Sequence, residues 1–194
     1  VKYALTPGFL LSVAGFRMTR PLAQTDAATN LFQVVGTQRN WGGEIFGQGA
    51  LSPALSLLGG LTYIDARLIG SRDPATNGKR VVGVPEFKGD LTADYHPAFA
   101  GGLAFTGTLH YESDRAATNI NNSFAPAYAT VDLGLRYTAN LAGHHEIVRL
   151  NVVNVGDKHY YSSIADGNIV GSPGANTAYL GAPRTVLASV EFAI

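Results

Sequence analysis

His110, Glu112 and Asp114 stand two residues apart, the spacing at which side chains of an extended chain leave one face together. A histidine coupled to a carboxylate can move a proton as general acid or base. To make a hydrolase the pair needs a nucleophile, and the sequence has no G-x-S-x-G elbow and no cysteine. A second candidate is His144-His145-Glu146. These are metal-ligating types, but neighbours in a short turn do not converge on one ion as an i, i+4 helical pair does. No catalytic group and no resident metal are therefore predicted, and the interest moves to the elements that carry these residues.

The segment around His110 is a strand with two unlike faces. Leu103, Phe105, Leu109 and Tyr111 share one parity, while Thr106, Thr108, His110, Glu112 and Asp114 share the other. The pattern repeats where Phe87, Leu91, Ala93 and Tyr95 oppose Glu86, Lys88, Asp90, Thr92 and Asp94. It repeats again with Ala129, Val131, Leu133, Leu135 and Tyr137 against Tyr128, Thr130, Asp132, Gly134 and Arg136. Less regular strands are predicted over 2–5, 9–19, 31–51, 55–69, 146–163 and 179–194, which makes roughly nine in all. No period-3.6 run, linker or solenoid repeat divides the chain.

Alternation alone leaves open whether a protein core or lipid covers the apolar face. Composition favours lipid: only 14% of the 194 residues are charged, against roughly 25% in ordinary soluble domains. The 14 basic and 14 acidic residues cancel, leaving no electrostatic footprint for nucleic acid. No run of about 18 apolar residues could form a membrane-crossing helix.

The connections alternate in length. Those at 6–8, 52–54, 97–102 and 139–145 are short, whereas those at 20–30, 70–83, 115–126 and 165–178 are long. In an antiparallel sheet all the short joints fall at one end and all the long ones at the other, as in outer-membrane barrels. Tyr63, Tyr95, Tyr111 and Tyr137 fall toward strand ends, where aromatic girdles would place them. Leu103 and Phe105 are thus expected to face lipid, and His110, Glu112 and Asp114 a polar lumen. The fold class predicted is all-β, an antiparallel up-and-down transmembrane β-barrel segment.

From Asn151 the chain reads NVVNVGDKHYYSS, and it ends YLGAPRTVLASVEFAI. Asn154, Asp157, Lys158 and Tyr160, followed by Gly181, Pro183 and Arg184, resemble the last strands of TonB-dependent siderophore receptors. The stretches RNWGGEIFGQGALSPALSLLGGLTYIDAR and GKRVVGVPEFKGDLTADY are similar to earlier strand pairs of that family. The family's final aromatic is here Phe192, followed by Ala193 and Ile194. Pro183, lacking an N–H, should sit at a bulge or beyond the membrane-embedded ladder.

The resemblance implies that residues 1–194 are the C-terminal part of a barrel of about 22 strands, without its plug domain and N-terminal strands. It implies residence in the bacterial outer membrane and uptake of a ferric siderophore driven by the TonB complex. No cofactor is implied, iron entering only as cargo. Other implied partners are membrane lipid, lipopolysaccharide and the barrel assembly machinery. Loop candidates for ligand contact are Arg72, Lys79, Arg80, Arg115, Tyr160, Tyr161 and Tyr179, the tyrosines having girdle or loop packing as an alternative role and the basic residues solvation or lipopolysaccharide phosphates. A passive porin-like barrel, or a truncated fragment that does not transport, are the alternative functional readings.

Overall fold

The computed structural model describes residues 1–25, 29–141, 144–165 and 177–192. Nine strands of the described residues form one antiparallel sheet: β1 (Lys2–Thr6), β2 (Phe9–Thr25), β3 (Phe32–Ser52), β4 (Leu55–Ile69), β5 (Phe87–Tyr95), β6 (Leu103–Glu112), β9 (Tyr128–Leu141), β10 (His144–Val153) and β13 (Thr185–Phe192). Each pairs with its predecessor and successor in this series, an up-and-down meander without crossovers. Two small hairpins rise from the long connections: β7 (Arg115–Ala116) with β8 (Phe124–Ala125), and β11 (Tyr161–Ala165) with β12 (Thr177–Leu180).

The strand count agrees with the sequence reading; several bounds do not. β2 runs on to Thr25 and pairs with β3 through Pro21↔Thr37 and Leu22↔Gly36, so the first long connection is mostly ladder. Pro21 lies toward the loop end of β2, four residues past Arg17, the register partner of Trp41. Arg20 stiffens the extension by donating through Nε and Nη2 to Gln38 Oε1 at 3.0 and 2.7 Å. The segment expected as one strand over 146–163 breaks after Val153, where Asn154 and Asp157 take positive φ of 52° and 50°. The last segment likewise splits between Leu180 and Thr185, and Pro183 lies in that break. His144 and His145 lie within β10, paired with Leu141 and Asn140, and not in the turn expected for them. Most of the connection expected over 165–178, and Ala193 and Ile194, lie outside the described residues.

A soluble sheet would bury its apolar side, and this one does not. Leu91, Leu109, Val131, Leu133, Val148, Leu150 and Val190 are 43% to 53% exposed. The largest fully buried side chains among the described residues are Arg115 and Asn154, an inversion of the usual order of burial. The apolar surface is therefore the one that meets hydrocarbon, and most of the buried residues lie toward the end of the sheet where the long loops pack.

Register sharpens this picture. On the outward parity, Tyr3, Phe9, Tyr95, Phe105, Tyr137 and Phe192 form a lower aromatic belt at the short-turn end. Trp41, Tyr63, Phe87 and Tyr111 form an upper belt at the loop end. The lower belt steps down four cross-strand rows between β1 and β13. Four rows are roughly 27 Å along the strands, against roughly 38 Å across the sheet at about 4.8 Å per strand, so a level belt requires a tilt of about 35°. That lies in the range of membrane barrels. On β5 the belts are separated by the length Phe87 to Tyr95, roughly 22 Å of height after tilt. Trp41, Tyr63 and Phe87 touch in sequence, with ring centroids 5.7 and 5.0 Å apart.

Leu91 stands midway between the belts on the outward face. Leu91→Arg is expected to cost about 2–4 kcal/mol. Thr108→Arg, on the inward face one strand away, should cost far less. Urea unfolding and refolding of the complete barrel in lipid vesicles measures both.

Candidate functional site

The inward parity carries the polar chemistry. His110 Nδ1 lies 2.5 Å from Asp90 and its Nε2 3.2 Å from Asp132, so one imidazole bridges β5 and β9. Thr92 and Thr108 share a hydroxyl hydrogen bond of 3.0 Å, Lys88 pairs with Glu112 at 2.9 Å, and Arg149 with Glu191 at 2.8 Å. These are cross-strand pairs that line a wall. The residues singled out on one face do not meet: Glu112 turns to Lys88 and Arg115, and Asp114 to Arg80. Asp90 and Asp132, the actual partners of His110, lie far away in sequence and are found only through register. Among the described residues no cluster of three or more His, Asp or Glu is arranged to hold a metal ion.

At the loop end the wall is crowned by a tightly bonded layer. Arg115, 2% exposed, pairs with Glu112 at 3.1 Å, donates from Nη1 to Ser162 O at 3.0 Å and from Nη2 to Tyr161 O, and faces the Tyr128 ring at 5.7 Å. Its guanidinium ties β6 to β11 and is not presented to the lumen. Arg80 is similarly engaged, with Nη1 on Asp114 Oδ2 at 2.7 Å, Nη2 on Asp114 O at 2.6 Å, and the Phe124 ring at 5.4 Å. Asn121 locks the same loop by accepting from Arg80 N at 2.6 Å and donating to Arg80 O at 3.0 Å. Tyr160 stacks on Tyr128 at 4.2 Å. Of the other candidates, Arg72, Tyr161 and Tyr179 are exposed and Lys79 is half-buried.

Six of the seven residues of the terminal motif meet at one hub, with Pro183 beside it. Asn154 Nδ2 donates to Lys158 O at 2.9 Å and Ala182 O at 3.0 Å, while its Oδ1 accepts from Lys158 N at 2.8 Å. Its own N–H donates to Asp132 Oδ1 at 2.7 Å, linking the hub to the wall. The left-handed backbone at Asn154 suits asparagine better than other non-glycine residues. Asp157 Oδ1 accepts from Arg184 N at 2.9 Å, and Tyr160 O accepts from Gly181 N at 2.8 Å. A Cβ at Gly181 would stand 2.1 Å from the Tyr160 ring, so only glycine fits there. Pro183 interrupts the ladder beside this hub. The motif thus joins the break after β10 to the break before β13.

The comparisons with known proteins agree with this architecture. Residues 1–155 match the family model described as TonB dependent receptor-like, beta-barrel. The ferrichrome receptor FcuA of Yersinia enterocolitica is 31% identical over 182 residues, 93% of this chain and 23% of that protein. The catecholate siderophore receptor Fiu of Escherichia coli K12 is 28% identical over 178 residues, 88% of this chain and 22% of that one. Among solved structures, the ferric preacinetobactin receptor BauA of Acinetobacter baumannii superposes with a TM-score of 0.81 at 27% identity, covering 95% of this chain and 27% of that one. The chain spans about a quarter of the length of the curated relatives it matches.

Asn154→Ala removes three buried hydrogen bonds and leaves the Lys158 N–H unpaired. It is expected to lower the local opening free energy of the hub by about 3 kcal/mol, read by amide exchange at Lys158. The Arg184 N–H holds the Asp157 carboxyl below its ordinary pKa of 3.8. Because the folded pKa is depressed, the contact's contribution is complete above pH 3.8 and is lost as pH falls through the lower folded value. The amide protection of Arg184 should hold down to that pH and drop below it, and in Asp157→Ala it should be low throughout.

Proposed function

This chain belongs to the TonB-dependent receptor β-barrel family, and on that premise we propose that it supplies the C-terminal nine strands of a larger barrel that captures a ferric siderophore and passes it inward. The family consists of integral outer-membrane receptors and transporters, and the chain lies in that membrane with its long loops outside. The nine-stranded sheet exposes apolar residues and two aromatic belts on one face and ion-paired groups on the other. That two-faced wall is the observation that carries the reading, since it suits a strand set standing between lipid and a polar passage. Both outer edges of the sheet, at β1 and β13, carry unpaired backbone groups, which hydrocarbon penalises heavily. Pairing with further strands of the larger barrel satisfies them.

In this proposal iron enters only as siderophore cargo, and the chain makes or breaks no covalent bond. Energy comes from the TonB complex, acting through parts of the protein beyond the present strands, and the barrel assembly machinery inserts the whole. Cargo contact is assigned to Arg72, Lys79, Tyr161 and Tyr179, a reading supported by their being the less buried of the loop candidates. Arg80, Arg115 and Tyr160 instead shape the loops that present them.

The test is uptake of labelled ferric siderophores by an iron-starved strain lacking its own receptors and expressing the complete protein. Uptake that requires the TonB partner is the expected result. Energy-independent passage of small solutes would overturn it in favour of a passive barrel. Lys79→Ala and Tyr179→Ala are each expected to raise the half-saturating siderophore concentration several-fold, with unchanged amounts of folded barrel in the membrane.

A further inference from the structure

Charge on the lipid-facing parity is distributed unevenly. Among the described residues of the nine strands, every arginine or lysine on that parity, namely Arg17, Arg39 and Arg67, lies at or just above the upper aromatic belt. Arg17 and Asp65 are both register partners of Trp41, and Arg39 and Arg67 pair one row above them. Asp65 is the acidic residue of this patch. It accepts from Trp41 Nε1 at 2.7 Å and Arg67 Nε at 2.6 Å, and meets Arg39 Nη2 at 3.4 Å. Arg67 also reaches Glu86 at 3.4 Å. Among the described residues Arg17, which is exposed, has no acidic partner, and Arg39 Nε is buried without an acceptor. Arg17, Arg39, Trp41 and Phe16 line one surface cleft.

An outward arginine is tolerated at this height because its cost falls from a few kcal/mol at the bilayer centre to near zero at the interface. Tolerance does not explain three arginines around a single aspartate. An anion in the cleft would complete the charge balance beside Arg17 and Arg39. The surface below it says what else that anion carries. Gly15 and Gly43 face each other one row down, and a Cβ on either would meet nothing closer than 3.5 Å. Val13 and Ile45 follow in the next row. The result is a shallow apolar path leading from the arginines toward the membrane centre, with Trp41 at its head.

We propose that the Arg17–Arg39–Trp41 cleft binds the phosphate of an outer-leaflet lipid with a phosphorylated sugar headgroup, whose acyl chain lies over Gly15 and Gly43. The proposal rests on the lipid-facing reading of this parity and not on any cargo. Arg17 and Arg39 supply the charge-assisted donors, Asp65 fixes Arg39 and the indole from the neighbouring strand, and the indole marks the interface.

The experiment uses the complete protein in phosphatidylcholine nanodiscs doped with bis-phosphorylated lipid A, with bound lipid A counted by mass spectrometry after repurification. The Arg17→Ala/Arg39→Ala variant is expected to retain about tenfold less lipid A. Arg17→Ala, which removes no hydrogen bond or ion pair among the described residues, should show an intermediate loss. Arg149→Ala, an inward cation removed, should retain as much as the unaltered protein. Dephosphorylated lipid A should be held no better by the unaltered protein than by the double variant. Equal retention by the double variant, or equal retention of the dephosphorylated lipid, overturns the proposal. Stripping of lipid A by millimolar inorganic phosphate also overturns it, because the cleft would then be a plain anion site. Siderophore uptake by the same variants should be unchanged, so a failure of the transport reading leaves this result standing and the reverse.

Discussion

In hydrocarbon no water is available to a backbone amide, and every N–H and C=O that crosses must find its partner in the next strand. The other features follow from that constraint. The ladder must be continuous between the belts, so proline lies beyond it, at Pro21 four residues past the Trp41 row and at Pro183 in the break before β13. The strands must tilt for the sheet to curve, so aromatic residues that share one height cannot share one cross-strand row. The diagonal descent from Tyr3 to Phe192 meets both demands at once.

The two faces solve different problems with the same backbone. Outward residues need only be apolar, and little packing specificity is visible among them. Inward residues must neutralise one another, and they do so across strands: Asp90 and Asp132 around His110, Lys88 on Glu112, Arg149 on Glu191. Burial, which in a soluble domain belongs to aliphatic residues, is deepest here at Arg115 and Asn154. These polar side chains replace the absent core, binding backbone carbonyls of loops that no apolar cluster would hold.

The sheet was legible in the sequence because period-2 alternation is a local property. β5, β6 and β9 announce themselves through Phe87–Tyr95, Leu103–Glu112 and Tyr128–Tyr137, and Tyr63, Tyr95, Tyr111 and Tyr137 occupy the belts their positions suggested. The reading missed where the signal was local and the cause was not. The strand expected to end at Thr19 continues to Thr25, because the partner segment of β3 from Phe32 to Arg39 reaches equally far. The motif residues from Asn154 to Tyr160 read as strand, yet Asn154 and Asp157 adopt left-handed backbone to reach Ala182 and Arg184 on a distant segment. Arg115 reads as a free loop cation, and only the fold reveals that three of its neighbours are Glu112, Tyr128 and the β11 backbone. The outward arginines were invisible for a similar reason, since Arg17, Arg39 and Arg67 become one patch only through register.

The hub has a bearing on how such a protein diversifies. Asn154 is bonded to Lys158 and Ala182, and Asp157 to Arg184, so the two roots of the final surface loop are fastened to each other and not merely to the sheet. A recombination event that exchanged only one root would leave half of these bonds without their other half. One that exchanged the stretch from Asn154 to Arg184 as a cassette would carry its own clasp, and could bring new tips to an old barrel without disturbing the strands on either side.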